Sequence, residues 1–148
     1  MDPLDNAMMI SSSALIAERT RMNLISSNLA NANSTRTAEG GPYRRKDAVF
    51  AATPPDAGRF AAMLDGMRNG NGLGVQVVQI IEDANPPQLR YDPTHPDANP
   101  QGYVAYPNVN VVEEMADMIA ATRAYEANLT AMKAGMDMQM KTLQFGNK

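Results

Sequence analysis

The fold is decided by residues 108–143, NVNVVEEMADMIAATRAYEANLTAMKAGMDMQMKTL. Apolar side chains recur there in alternating steps of three and four: Val111, Met115, Met118, Tyr125, Leu129, Met132, Met136 and Leu143, with Thr122 and Gln139 as interruptions. Ile119 and Met140 thicken the stripe, no proline follows Pro107, and Gly135 is the one glycine before Leu143. Such spacing predicts a continuous α-helix with a coiled-coil seam about five heptads long. Its start is marked by Pro107, by Asn110 as N-cap, and by Glu113 three residues on, as in a capping box. Glu113, Glu114 and Asp117 crowd the first turns while Lys133, Lys141 and Lys148 lie towards the end, so charge complements the helix dipole. At about 1.5 Å per residue the rod is roughly 50 Å long and needs a partner of similar length.

That partner is the N-terminus. Asp2 is the expected N-cap, Pro3 suits the first helical position, and from there to Asn33 neither proline nor glycine recurs. Met8, Leu15, Met22 and Leu29 repeat every seven residues with Ile25 and Ala32 beside them, and a second stripe runs through Ile10, Ala14, Ala17 and Leu24. The apolar face is wider than one helix can cover. Ser11, Ser12 and Ser13 place small side chains where two helices can approach closely. The segment ends in Ser26-Ser27-Asn28-Leu29-Ala30-Asn31-Ala32-Asn33, whose amides and hydroxyls terminate helices well. Asn28 and Asn31 share a face, and buried amides of this kind fix register between packed helices.

Residues 36–107 differ in character. Nine of the ten prolines and eight of the ten glycines fall here. Strands are expected at Tyr43–Phe50, Val75–Ile81, Leu89–Tyr91 and Tyr103–Tyr106, with a short helix over Ala57–Met67 and a flexible Gly-rich loop from Asn69 to Gly74. The expected organisation is α+β: residues 1–35 and 108–148 form an antiparallel coiled-coil domain, and 36–107 form a small β-rich insert with a flexible loop over 51–74. A two-helix hairpin is a marginal folding unit, and the stripe left uncovered marks an association surface. Twelve methionines, six of them between Met115 and Met140, suit a surface that meets non-identical neighbours.

The composition narrows the function. A net charge of −3 gives no ground for nucleic acid as a partner, and the absence of cysteine leaves no disulfide frame and no thiolate metal site. No run approaches the roughly 18 apolar residues of a membrane span, and no cleavable signal peptide is visible. His95 stands alone between Asp92 and Asp97, short of the three or four ligands a zinc site takes. Glu113, Glu114 and Asp117 are explained by helix capping rather than acid–base work. Arg44-Arg45-Lys46 reads as a solvated basic triplet, or one that meets an acidic neighbour. No nucleophile, base and oxyanion set forms, so no catalytic residue, cofactor or metal is expected. An enzyme built on the His95 turn is the alternative from another class.

Several motifs resemble one family. Ser27-Asn28-Leu29-Ala30-Asn31-Ala32-Asn33 resembles the end of the N-terminal helix in the bacterial flagellar axial proteins, the rod and hook subunits. Tyr103–Met115 resembles the approach to their C-terminal helix, and Tyr125 with Asn128 resembles its Tyr-x-x-Asn element. Gly41–Lys46 and Tyr91–Asn99 resemble the proximal-rod branch. The resemblance implies a structural subunit of the flagellar basal body, polymerising into the periplasmic drive shaft that passes torque to hook and filament. It implies type III export without a cleaved signal peptide. The implied partners are copies of itself, the rod proteins FlgB, FlgF and FlgG, the adaptor FliE and the export apparatus, with no nucleic acid and no membrane insertion. A FlgB- or FlgG-like axial subunit is the alternative within the class. The expected assembly interface comprises Leu15, Met22, Leu24, Ile25, Asn28, Leu29 and Asn31 on the first helix. On the second it comprises Met115, Met118, Tyr125, Asn128, Leu129, Met132 and Met136.

Overall fold

A computed structural model of the chain describes residues 3–52 and 74–146. Two long helices, α1 (Pro3–Ala30) and α2 (Val111–Gly146), enclose in sequence four short strands: β1 (Lys46–Ala52), β2 (Val75–Glu82), β3 (Gln88–Tyr91) and β4 (Tyr103–Tyr106). The class is α+β, as the residue pattern predicts. β1 pairs with β2 and β3 with β4, giving two two-stranded sheets. The second is antiparallel, with Gln88 opposite Tyr106 and Tyr91 opposite Tyr103.

Several boundaries move. β1 begins at Lys46 rather than Tyr43, because Tyr43 is spent closing a loop: its N–H donates to the Ser34 carbonyl. The strand then runs through Ala51 and Ala52, two residues expected in the flexible loop. Asp2, the helix expected over Ala57–Met67 and residues 69–73 of the Gly-rich loop lie outside the described residues. The first helix ends at Ala30, three residues before Asn33. There Asn31 turns its amide on its own helix, donating from Nδ2 to the Ser27 carbonyl while its Oδ1 accepts from Ser34 Oγ. The α2 N-cap is as expected, since Asn110 Oδ1 accepts the Val112 N–H at 3.1 Å.

The chain divides into two compact units. One comprises Met1–Thr20, Phe50–Val78 and Ala121–Lys148. Within it the helices run antiparallel: Gln139 Nε2 donates to Asp5 Oδ1, and Met8 lies over Gly135. Ser13, expected at a helix–helix contact, meets a strand instead. Its Oγ accepts the Val75 N–H while donating to the Ile10 carbonyl, tying the start of β2 to α1.

The other unit comprises Arg21–Val49 and Gln79–Ala120. Its helices are also antiparallel, with Asn28 against Glu114 and Arg21 against Asp117. The β3–β4 connection is held by side chains acting as local acceptors. Asp92 Oδ1 takes the Thr94 N–H and hydroxyl, and Asn99 Oδ1 takes the N–H groups of Gln101 and Tyr103. His95 and Asp97 belong to this turn: Asp97 N–H donates to His95 Nδ1, and Asp97 Oδ2 accepts from Thr35.

Candidate assembly site

Asn28 is buried, 1% exposed, in the last full turn of α1. An amide placed there costs stability unless both its donors and both its acceptors are met. All four are. Nδ2 donates to the Lys46 carbonyl at 2.9 Å and to Glu114 Oε2 at 3.0 Å. Oδ1 accepts the Lys46 N–H and the Tyr43 hydroxyl, each at 2.9 Å. One side chain thus joins α1, the first residue of β1, the loop before it and α2. Of the two amides expected to fix register, Asn28 reaches the other helix, whereas Asn31 bonds to Ser27 of its own helix and to Ser34.

Glu114 completes the cluster from α2 and is equally buried. Its second oxygen accepts from Arg45 Nε, and Arg45 also reaches Asp47 Oδ2 at 3.3 Å and Asp117 Oδ2 at 3.9 Å. Burial pulls the guanidinium pKa down, but the hydrogen bonds and charges of Glu114 and Asp47 outweigh it and hold the pKa above its usual value. Two sequence expectations are corrected here. Glu114 and Asp117 are ion-pair partners rather than simple complements of the helix dipole. The basic triplet is not uniformly solvated: Arg45 is turned inward, Lys46 pairs with Glu82 at 3.5 Å, and Arg44 is exposed. Sequence reasoning missed Glu114, Arg45 and Tyr43 as a unit. The available signal was the heptad spacing of Glu114, Ala121, Asn128 and Gly135.

That spacing is the true inner row of α2. Glu114, Ala121 and Gly135 are buried and Asn128 is half-buried, with Met118, Tyr125, Met132 and Gln139 forming the second inner row. The second row coincides with the sequence stripe; the first is displaced by one residue from the expected Met115, Thr122, Leu129, Met136 and Leu143. Small side chains there permit close helix approach, as at Gly135, where a Cβ would sit 3.1 Å from Met8 Cγ. Large apolar side chains are turned out. Met115 is 55% exposed, Ile119 54%, Met136 46% and Leu143 66%.

The remaining expected interface residues divide similarly. Ile25 is buried in α1, whereas Leu15, Met22, Leu24, Leu29 and Asn31 are half-buried. On α2, Met118, Tyr125, Leu129 and Met132 are half-buried, and Asn128 donates from Nδ2 to the Ala124 carbonyl. Among the described residues no group of three or more His, Asp or Glu side chains could hold a metal ion, and no helix is long and apolar enough to cross a membrane.

Residues 8–36 match the family described as flagella basal body rod protein, and residues 101–145 match the flagellar basal body rod FlgEFG protein C-terminal family. The chain is 45% identical over 142 residues to the flagellar basal-body rod protein FlgC of Borreliella burgdorferi, covering 91% of this chain and 92% of that one. It is 44% identical over 148 residues to the FlgC of Bacillus subtilis, with 95% and 97% covered. Against the FlgC of Salmonella typhimurium it is 40% identical over 141 residues, with 95% and 96% covered. With matched segments on both terminal helices and relatives aligned over nearly the whole length, the chain belongs to the FlgC family of flagellar basal-body rod proteins.

Proposed function

We propose that this rod subunit polymerises through its two terminal helices, with the outward row of α2 and the half-buried row of α1 as its assembly faces. The observation that carries the reading is the division of labour on α2. Its inner rows are occupied by the chain's own contacts, leaving Met115, Ile119, Met136 and Leu143 about half exposed or more. Fully burying such a side chain is worth roughly 1.5–3 kcal/mol, so completing the burial of several gains several kcal/mol per subunit. Family membership supports assembly with other rod proteins and with copies of itself. We assign FlgB, FlgF, FlgG and FliE as the neighbours, the periplasm as the compartment, and type III export of the unfolded chain as the route. Torque then passes through many interlocked helices, with no single contact carrying the load and no catalytic step involved.

The test is a charge in the half-buried helical row. Leu24→Asp or Leu129→Asp, as the only copy in the cell, abolishes swimming while the purified chain keeps its β-strand signal by circular dichroism. Normal swimming by both variants would overturn the assembly reading.

A further inference from the structure

Sulfur in this chain is thioether only, with twelve methionines and no cysteine. A peroxide that reaches the subunit meets no thiol, so methionine takes the oxidation. The described methionines fall into two groups. Met8, Met22, Met118 and Met132 are half-buried, and the Met8 side chain lies against Gly135. Met9, Met115, Met136, Met138 and Met140 are between 46% and 61% exposed. Met115 and Met136 stand in the outward row of α2, and Met140 lies one turn beyond Met136 on the same side. Met138 is two residues from Met136 and so about 200° round the helix from it.

We propose that Met115, Met136 and Met140 are a peroxide-modification site of the free subunit, at which oxidation to the sulfoxide blocks assembly without unfolding the chain. The inference rests on the assembly reading. At each sulfur a lone pair takes one oxygen of the hydroperoxide. An S–O bond forms, the O–O bond breaks, sulfur loses two electrons, and the remainder of the hydroperoxide leaves as water or an alcohol. The new oxygen is a hydrogen-bond acceptor on a side chain that had been apolar. On the free chain these side chains are about half exposed or more, so water solvates that oxygen and the inner rows of α2 are undisturbed. In a packed face the oxygen must give up its water, and its neighbours in the row, Ile119 and Leu143, have no side-chain donor to replace it. Sulfoxide reductases reverse the step, so an oxidised subunit is held back rather than lost. Packing covers the same thioethers, which confines the sensitivity to subunits not yet incorporated.

Hydrogen peroxide on the purified full chain tests it. Peptide mass spectrometry finds sulfoxide at Met115, Met136 and Met140 before Met8, Met22, Met118 and Met132. At that stage the melting temperature is parental, while association in the ultracentrifuge is weaker by about tenfold or more. Methionine sulfoxide reductase restores it. Leucine at all three positions keeps the face apolar and removes the oxidisable sulfur, so that variant associates like the parent before and after peroxide. Met138→Leu leaves the sensitivity to peroxide unchanged. In cells where it is the only copy, a chain carrying Met115→Gln, Met136→Gln and Met140→Gln, polar like the sulfoxide and beyond repair by the reductase, swims poorly. Equal rates of oxidation in the two groups, a melting temperature that falls with the first sulfoxides, or a triple leucine variant as sensitive as the parent overturns the site. Normal swimming with the three glutamines overturns the block on assembly. If Leu24→Asp and Leu129→Asp abolish swimming while the glutamine variant swims, this inference fails and the assembly reading stands; if all of them swim, the reading itself fails.

Discussion

Asn28 can do its work because an amide is the one small side chain with two donors and two acceptors, and the local structure presents two of each. Asn28→Ala leaves the Lys46 N–H and carbonyl and one Glu114 oxygen without their partner. At roughly 1–3 kcal/mol per buried orphan, a loss of about 3 kcal/mol or more is expected in urea unfolding. Asn28→Asp does worse, since it sets a second carboxylate about 3.0 Å from Glu114 Oε2. Arg45→Met leaves the Glu114 charge buried and unpaired. Breaking a fully buried pair costs roughly 3–5 kcal/mol, and the Arg45 side chain is 27% exposed, so a loss nearer about 3 kcal/mol is expected. Asp92 shows the opposite regime, at the surface. Its carboxylate is held below the usual pKa by the Thr94 hydroxyl and backbone donors, so it favours the fold above its unfolded pKa. That contribution is lost as pH falls through the depressed folded value. Acid titration followed by the Thr94 amide resonance shows the transition, and Asp92→Asn removes it.

Helix seams are built from the residues that fit them, and hydrophobicity alone does not say which those are. The run from Val111 to Leu143 identifies α2, its start at Asn110 and one of its two inner rows, because period and capping are local properties. The other inner row is legible only with the partner helix in view. Glu114 is there for Arg45 and Asn28, Gly135 for the bulk of Met8, and neither looks like a core residue in isolation. The same reason hid the tie between Ser13 and Val75, which are far apart in sequence. Gly135 offers a graded test. Alanine gains about 1 kcal/mol of helix propensity and asks Met8, a flexible side chain, to move a few tenths of an ångström. Gly135→Ala should therefore change stability by less than about 1 kcal/mol, while Gly135→Leu parts the helices and lowers the melting temperature. Gly102 admits no such relief. Its φ is +82°, and a Cβ would meet Tyr91 Cε2 at 2.8 Å. Gly102→Ala costs about 1–2 kcal/mol for the left-handed backbone alone, with the ring clash in addition, and frees the β3–β4 amides to hydrogen exchange.

With Glu114, Ala121, Asn128 and Gly135 on its own seam and Met115, Met136 and Leu143 turned outward, the proposed association surface of α2 is separable from its folding surface. The two can be tested against each other by moving one residue along the helix. Met115, Met136 and Leu143 are each about half exposed or more, so burying the rest of each side chain is worth roughly 1 kcal/mol, or about 3 kcal/mol together. Replacing all three with glutamate should weaken association by at least about a hundredfold, since each 1.4 kcal/mol is a factor of ten. The purified variant should keep its helix content and melting temperature, because none of the three occupies the inner rows. Ala121→Asp, by contrast, puts a charge at a fully buried seam position and should unfold the isolated chain. Circular dichroism, analytical ultracentrifugation and a swimming assay on the two variants together decide the matter. If the outward triple variant loses helix as Ala121→Asp does, folding and assembly share one surface, and the division of labour on α2 is refuted.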